Sequence, residues 1–319
     1  MPPTDSFREA RSRRMGGLAR AVAAIAPARL YKCGQWLGRL AYRFDLRHRR
    51  IVRQNLSFVF PDWSRRQIDD LAVRVFEHFG QVLLENLQAL FLSRRQFAQR
   101  IVIEGEDVLT AALAQPGGCL LYSGHLGNWE FGLLAGAAIL DRTALTVAKP
   151  VKLKALHLLL TRLRSRFGNR VVFKKGALQV MTKALREGET LIMLIDQGVR
   201  RTEAVAIRFF GKRTLASPAA AYLAYRCRVP VVPIFCLRTL EGGYRLKVLP
   251  PITAARRGAL RDDIQAFTQQ LMATVETAVR RHPEQWFWFH KRWKRTYPEL
   301  HPEYQVLRRR RRIRKGRQP

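Results

Sequence analysis

The chain is short of acidic residues, cysteine and long apolar runs, and each shortage narrows what it can do. Its 319 residues hold 24 aspartates and glutamates against 58 lysines and arginines, a formal charge of +34. Such a field selects polyanionic partners, either nucleic acid or an anionic membrane surface. Four cysteines, Cys33, Cys119, Cys227 and Cys236, stand in apolar contexts with no Cys-x-x-Cys pair. Buried free thiols are expected there, and a zinc site or disulfide framework is not. No apolar run reaches the roughly 18 residues of a membrane span, so no transmembrane helix is predicted. Zinc-finger spacing, a basic zipper and an aromatic RNA-binding signature are also missing, which leaves nucleic acid without support. The chain reads as reduced and cytoplasmic-facing.

What is present is an apolar fraction of 47%, enough for a sizeable core in one large α/β domain or two small ones. Residues 1–15 are polar and basic, and disorder is expected. Residues 16–100 read as helical. Within 16–44 the apolar pattern is broken by Arg20, Pro27, Arg29, Lys32, Arg39 and Arg43. Leu30, Trp36, Leu37, Leu40 and Tyr42 are left to face a membrane or the core, the pattern of an uncleaved interfacial anchor. A signal peptide competes, since Arg11, Arg13 and Arg14 precede the run from Ala21 to Ala26. That run is meagre, and the basic helical pattern continues past it. Basic side chains near a membrane surface contribute about 1 kcal/mol each in attraction to anionic lipid. Ser64 with Gln67 forms a capping box before Ile68, Leu71, Val75, Phe79, Val82 and Leu83, which recur at helical spacing.

From Ile101 short apolar runs alternate with helical segments. Strands are expected at 101–103, 119–122, 144–148, 171–173, 191–195, 205–210, 231–237 and 244–249. Helices are expected at 128–140, 152–167, 177–186, 218–227 and 260–281. This alternation predicts an α/β region over 101–300, a mainly parallel mixed sheet flanked by helices. Residues 301–319 form a polybasic tail with Arg308 to Arg312, Arg314, Lys315 and Arg317.

The most informative stretch is Ser123-Gly124-His125-Leu126-Gly127-Asn128-Trp129-Glu130, set between a strand and a helix. A histidine in such a loop can take a proton from a hydroxyl, and a carboxylate nearby can orient the ring and stabilise the imidazolium. If the hydroxyl belongs to the acceptor substrate, no serine or cysteine nucleophile is needed. This is the chemistry of O-acyl transfer. His125 is therefore the expected general base and Glu130 its charge partner. Five residues is not a same-face helix spacing, so the two meet only if His125 lies in the loop before the helix. The pattern also arises by chance, and a lone histidine beside a strand is more often structural. Catalysis is favoured by the glycines, which let the main chain approach a ligand, and by the free N–H groups opening the helix.

This octet resembles the His-x-x-x-x-Asp/Glu block of the glycerolipid acyltransferase superfamily. The wider chain resembles its bacterial branch, the lipid A biosynthesis (late) acyltransferases. Arg49-Arg50-Ile51-Val52-Arg53-Gln54-Asn55-Leu56 with Phe60-Pro61 matches the branch's basic segment. Asp196-Gln197, Phe209-Phe210-Gly211 and Thr214 match the next block. Pro230-Val231-Val232-Pro233 and Pro283 through Lys294 match the last two. The resemblance covers residues 30 to 295 in order. It implies a glycerol-3-phosphate acyltransferase-like fold with an N-terminal helical membrane-association segment.

It also implies roles for further residues. An arginine near the place of Arg164 is functionally important in the late acyltransferases, and a guanidinium there suits a substrate phosphate or carboxylate. A solvated charged face explains Arg164 equally well. Lys149 stands where relatives often have arginine before proline. Asp196 ends a strand at the edge where open α/β sheets bind ligands, or else caps the next turn. Asp196-Gln197-Gly198 departs from the Asp-His-Asp form of some relatives. Gly127 and Asn128, in the His125 turn, are placed on the substrate side with Arg164, Lys149 and Asp196. Arg200, Arg201, Arg208, Lys212 and Arg213 either hold acceptor phosphates or are solvated. Trp286, Phe287, Trp288, Phe289 and Trp293 suit a membrane interface, single-stranded nucleic acid, or plain core packing. The resemblance makes them a structural or acceptor-side segment.

The function implied is transfer of a fatty acyl chain from an acyl carrier protein or coenzyme A thioester to a hydroxyl of a lipid A precursor or related anionic glycolipid. Neither metal nor bound cofactor is needed, and nucleic acid is not a partner. Attachment is expected at the cytoplasmic face of the inner membrane, peripheral or monotopic. The alternatives are acylation of a lysophospholipid or aminolipid, and polyanion binding without catalysis.

Overall fold

The computed structural model describes residues 17, 20–115, 117–148, 153–173, 176–239 and 242–302. Residues 1–15, Lys149 and the arginine-rich run from Arg308 lie outside them. After a helical stretch at 20–23 the described residues form α1 (Pro27–Phe44), α2 (Leu46–Val59), α3 (Arg65–Ala89) and α4 (Arg94–Ala98). Then follow β1 (Ile101–Glu104), α5 (Glu106–Leu113), β2 (Cys119–Ser123), α6 (Trp129–Ile139), β3 (Ala144–Ala148), α7 (Lys154–Arg164), β4 (Arg170–Phe173), α8 (Ala177–Arg186) and β5 (Thr190–Leu194). The chain ends with β6 (Val205–Phe209), β7 (Lys212–Ala216), α9 (Ala219–Cys227), β8 (Val231–Arg238), β9 (Tyr244–Val248) and α10 (Leu260–Arg281).

Seven strands build one sheet in the order β1-β9-β8-β2-β5-β3-β4. Every pair is parallel except β8 with β9. Helical crossovers set the parallel pairs, whereas the short link from Arg238 to Tyr244 can only turn the chain back. The molecule is thus an α/β protein with a mostly parallel mixed sheet. β2 lies at its centre and is buried along its whole length. Its side chains alternate between two cores. Leu120 and Tyr122 join the core under α3, α8, α9 and α10, and Cys119 and Leu121 join the one under α5 and α6.

β6 and β7 form a separate antiparallel pair. β7 was not expected, because Lys212 and Arg213 interrupt any apolar run. The turn explains it: Phe210 and Gly211 both have positive φ, the pattern of a two-residue hairpin turn whose twist matches its strands.

α3 starts as its capping box predicts, with the Ser64 hydroxyl accepting from the Gln67 amide and the Gln67 side chain accepting from the Ser64 amide. α1 lies against α3 so closely that a Cβ at Gly34, Gly38 or Gly80 would run into the opposite backbone. Small residues let two helix backbones meet in this way. Leu30 turns inward, while Trp36, Leu40, Phe44 and Leu46 face outward, Trp36 with 63% of its surface open. Among the described residues no helix is long and apolar enough to cross a membrane.

Of the readings open for the aromatic run, core packing holds for Trp286, Trp288 and Trp293, which are buried among Phe209, Phe210 and Phe58. One expectation is corrected. Cys33 is an exposed thiol on α1, whereas Cys119 and Cys236 are buried as expected.

Candidate active site

The site is built at the carboxyl ends of β2 and β5. These strands pair in register, with Ser123 opposite Leu194. Two residues further along each chain, His125 and Asp196 are therefore level with one another. Asp196 is only 1% exposed, and its carboxylate accepts three hydrogen bonds. Oδ1 takes the His125 ring Nδ1–H at 2.6 Å. Oδ2 takes the His125 backbone N–H at 2.8 Å and the Trp286 indole N–H at 2.7 Å. Burial alone would push the Asp196 carboxyl up. The charge and hydrogen bonds of His125, with the Trp286 bond, outweigh it and bring the group down to about 2.

A carboxylate only accepts, so the proton of neutral His125 sits on Nδ1 and the lone pair on Nε2. Nε2 lies 3.0 Å from the Gln197 side-chain nitrogen, which donates to it. The ring keeps 17% of its surface open, bounded by Trp129 and Phe287 at 5.0 and 6.2 Å between centroids. A base oriented by a buried carboxylate, with its lone pair held only by an exchangeable amide, can deprotonate a hydroxyl that replaces that amide.

Glu130 has a different partner from the one expected. It lies in the first turn of α6, 3% exposed. Arg164, in the last turn of α7, grips it through two bonds, Nε to Oε2 at 2.8 Å and Nη2 to Oε1 at 2.5 Å. The Trp129 indole donates to Oε1 at 3.0 Å. Burial works against the Arg164 charge, but Glu130 more than compensates and raises the group. The carboxylate beside His125 is thus Asp196, and Glu130 orders Arg164. Arg164 commits two donors to this bidentate pair.

Three residues expected on the substrate side support the turn from within. The Asp196 carboxylate is taken up by His125 and Trp286. Gly127 has φ +64°, and any Cβ there would collide with the Cys236 carbonyl. Asn128, fully buried, caps α6 by accepting the Phe131 N–H at 3.2 Å. Main-chain bonds pin the turn further: Phe287 N–H to the His125 carbonyl, Gly127 N–H to the Gln285 carbonyl and Asn128 N–H to the Cys236 carbonyl, each 2.9 Å. Of the basic residues around the hairpin, Arg208 bonds the Gly211 carbonyl and Arg201 the Arg295 carbonyl, each at 3.2 Å.

Gln197 and Trp286, which touch the pair directly, were singled out in sequence only as parts of motifs. A sign of their place was available, since Gln197 follows Asp196 and Trp286 sits in the aromatic run. Nothing local pointed to Glu85, His78 and Tyr244, which lie behind the turn.

The family model of bacterial lipid A biosynthesis acyltransferases matches residues 15–295. The lipid A biosynthesis lauroyltransferase of Escherichia coli is 30% identical over 277 residues, 85% of this chain and 86% of that one. The palmitoleoyltransferase of the same organism is 26% identical over 264 residues, 82% and 83% of the two chains. A phosphatidylinositol mannoside acyltransferase of Mycobacterium tuberculosis is 27% identical over 251 residues, 76% of each.

Proposed function

The chain belongs to the bacterial lipid A biosynthesis acyltransferases, and from that premise we propose that it moves a fatty acyl chain from a thioester to a hydroxyl of a lipid A precursor or related glycolipid, with His125 as general base. The observation that carries the reading is the His125–Asp196 pair, with Nδ1 held at 2.6 Å and Nε2 left as the acceptor that Gln197 now fills. The acceptor hydroxyl takes the place of the Gln197 amide at Nε2. As its oxygen attacks the thioester carbonyl, its proton passes to Nε2, and Asp196 stabilises the imidazolium. The C–S bond then breaks, the ester forms, and the imidazolium returns the proton to the departing thiolate. The first-turn N–H groups of α6 other than that of Phe131, which Asn128 caps, would meet the oxyanion. Arg164, held by Glu130, is read as the group that meets acceptor charge; Lys149, outside the described residues, is kept as a second cation for the acceptor on the resemblance alone.

The donor is an acyl carrier protein or coenzyme A thioester. The fold is read as glycerol-3-phosphate acyltransferase-like, with a membrane-associated helical region over 16–100, a catalytic region over 101–300 and basic segments at 1–15 and 301–319. Trp36, Leu40, Phe44 and Leu46 would enter the interface of an anionic bilayer, flanked by Lys32, Arg39, Arg43 and Arg47. This supports peripheral attachment at the cytoplasmic face of the inner membrane, and recovery wholly in the soluble fraction at low salt would refute it. The mycobacterial relative supports a second reading in which the acceptor is another anionic glycolipid. Mass spectrometry of lipids from a deletion strain separates the two.

The test of the base is His125→Ala. Loss of a general base lowers rate by about 100- to 10,000-fold. A well-folded variant that transfers acyl groups at the native rate sinks the assignment.

A further inference from the structure

Behind the His125 turn lies a buried polar cluster that the proposed chemistry does not use. Glu85 projects from α3, Arg238 ends β8 and Tyr244 opens β9, and all three are buried. Glu85 accepts from both terminal nitrogens of Arg238, Nη1 at 2.8 Å, and also from the Tyr244 hydroxyl. Arg238 donates to the same hydroxyl. Tyr244 therefore has its hydroxyl proton on Glu85, and its oxygen remains an acceptor. The donor that fills this acceptor from the other side is the Asn128 amide, Nδ2 to Oη at 3.3 Å. Burial, with the Glu85 charge, drives the Tyr244 phenol well up, so the hydroxyl keeps its proton.

Asn128 is three residues from His125 and caps α6 through its other amide atom. One side chain thus joins the cluster to the helix start and the histidine turn. A second strut runs alongside. His78, also on α3, lies with Nε2 3.3 Å from the Gly127 carbonyl and must donate to it, since a carbonyl only accepts.

We propose that Glu85, Arg238 and Tyr244 are a positioning unit for catalysis, which sets the angle of the His125 turn through the amide of Asn128. The proposal rests on the reading of His125 as the base. It assigns the N-terminal helical layer a part in turnover, because Glu85 and His78 both come from α3. The network leaves only the Arg238 Nε–H without a partner; its other bonds fix the direction of the Asn128 amide, and a misplacement of about 1 Å at a reacting group costs on the order of 100-fold in rate.

The test uses the full chain, the donor thioester that the native protein accepts and a lipid A precursor in detergent. Tyr244→Phe removes the hydroxyl and keeps the ring against Phe131, 5.0 Å away between centroids. Asn128→Ser keeps a capping oxygen and removes the amide donor. Each is expected to lower kcat about tenfold or more with KM within about twofold, a split that a general loss of folded protein would not give. Because both break one link, the double variant should be no slower than the slower single variant. A folded single variant with native kcat, a loss confined to KM, or losses that multiply would overturn the proposal. Each variant carries the expectation by itself, so one that fails to fold leaves the other decisive. Failure of both would make the cluster a stability element and overturn it too. His125→Ala is measured alongside: native activity there sinks the reading of the base, whereas its loss beside a native Tyr244→Phe sinks only the positioning unit.

Discussion

Two buried carboxylates flank the same turn, one beyond β5 and one at the start of α6, and they hold different kinds of cation. Asp196 holds a histidine, a side chain able to take up a proton and give it back. Glu130 holds a guanidinium, which stays charged throughout. Burial does not separate them, since both are nearly closed to solvent. The partner does. The Asp196 pair can change its total charge within a turnover, and the Glu130 pair cannot. On the proposed reading the same side-chain chemistry serves proton transfer on one side of the turn and fixed recognition on the other.

The largest effect that would test this contrast is expected at Asp196→Asn. The amide cannot stabilise an imidazolium and favours the wrong ring tautomer, so kcat should fall by about 10,000-fold, as when a triad aspartate is replaced. Single-turnover rates on a variant with native circular dichroism check this. A loss of less than about tenfold would reduce the pair to a structural bond.

Glu130→Gln should act first on stability. It leaves the Arg164 charge buried without its partner, and breaking a buried pair costs about 3–5 kcal/mol. Glu130→Asp keeps the charge with a shorter reach. Both the thermal midpoint and the transfer rate should therefore rank native, then Glu130→Asp, then Glu130→Gln. If Glu130→Gln melts at the native temperature while losing all activity, the two pairs are alike and the comparison fails.

The smallest effect concerns a third buried group, His78, which bonds a carbonyl in place of a carboxylate. Burial, helped by the nearby Arg238 charge and opposed by the Gly127 bond, lowers it to about 3. The folded-state value lies below the unfolded one of about 6.5, so the unfolded chain binds the proton first. Its contribution to stability is complete above about 6.5 and is lost as pH falls toward 3. Urea midpoints between pH 7 and 4 should drop less for His78→Gln than for the native protein. Parallel slopes would show that His78 titrates as if exposed.

Much of the fold was legible in the residues. Apolar runs such as 119–122 and 231–237 match β2 and β8, and Ser64 with Gln67 marks the start of α3. The pairing within the site was not. His125 and Asp196 are 71 positions apart, and β3 and β4 come between β2 and β5 in the chain. Only the order of strands in the sheet makes β2 and β5 neighbours, and local pattern does not carry that order. Glu130, five residues from His125 in the chain, was the nearer carboxylate along the sequence and the wrong one in space. The aromatic run left three readings open for a related reason. Alternating tryptophans and basic residues look the same whether the indoles meet lipid or one another, and here they meet one another.

The glycine contact between α1 and α3 makes the outer helix a rigid handle. Gly34 and Gly38 leave no cushion of side chains on which α1 could roll over Gly80. Its row of Trp36, Leu40 and Phe44 is therefore fixed in direction relative to α3, and α3 in turn touches the Gly127 carbonyl through His78. Any flat surface on which that row settles then sees the catalytic opening at one tilt and one elevation. On the proposed reading the protein would then work as a gauge, and a head group whose hydroxyl stood at another depth would pass beneath the histidine without meeting it.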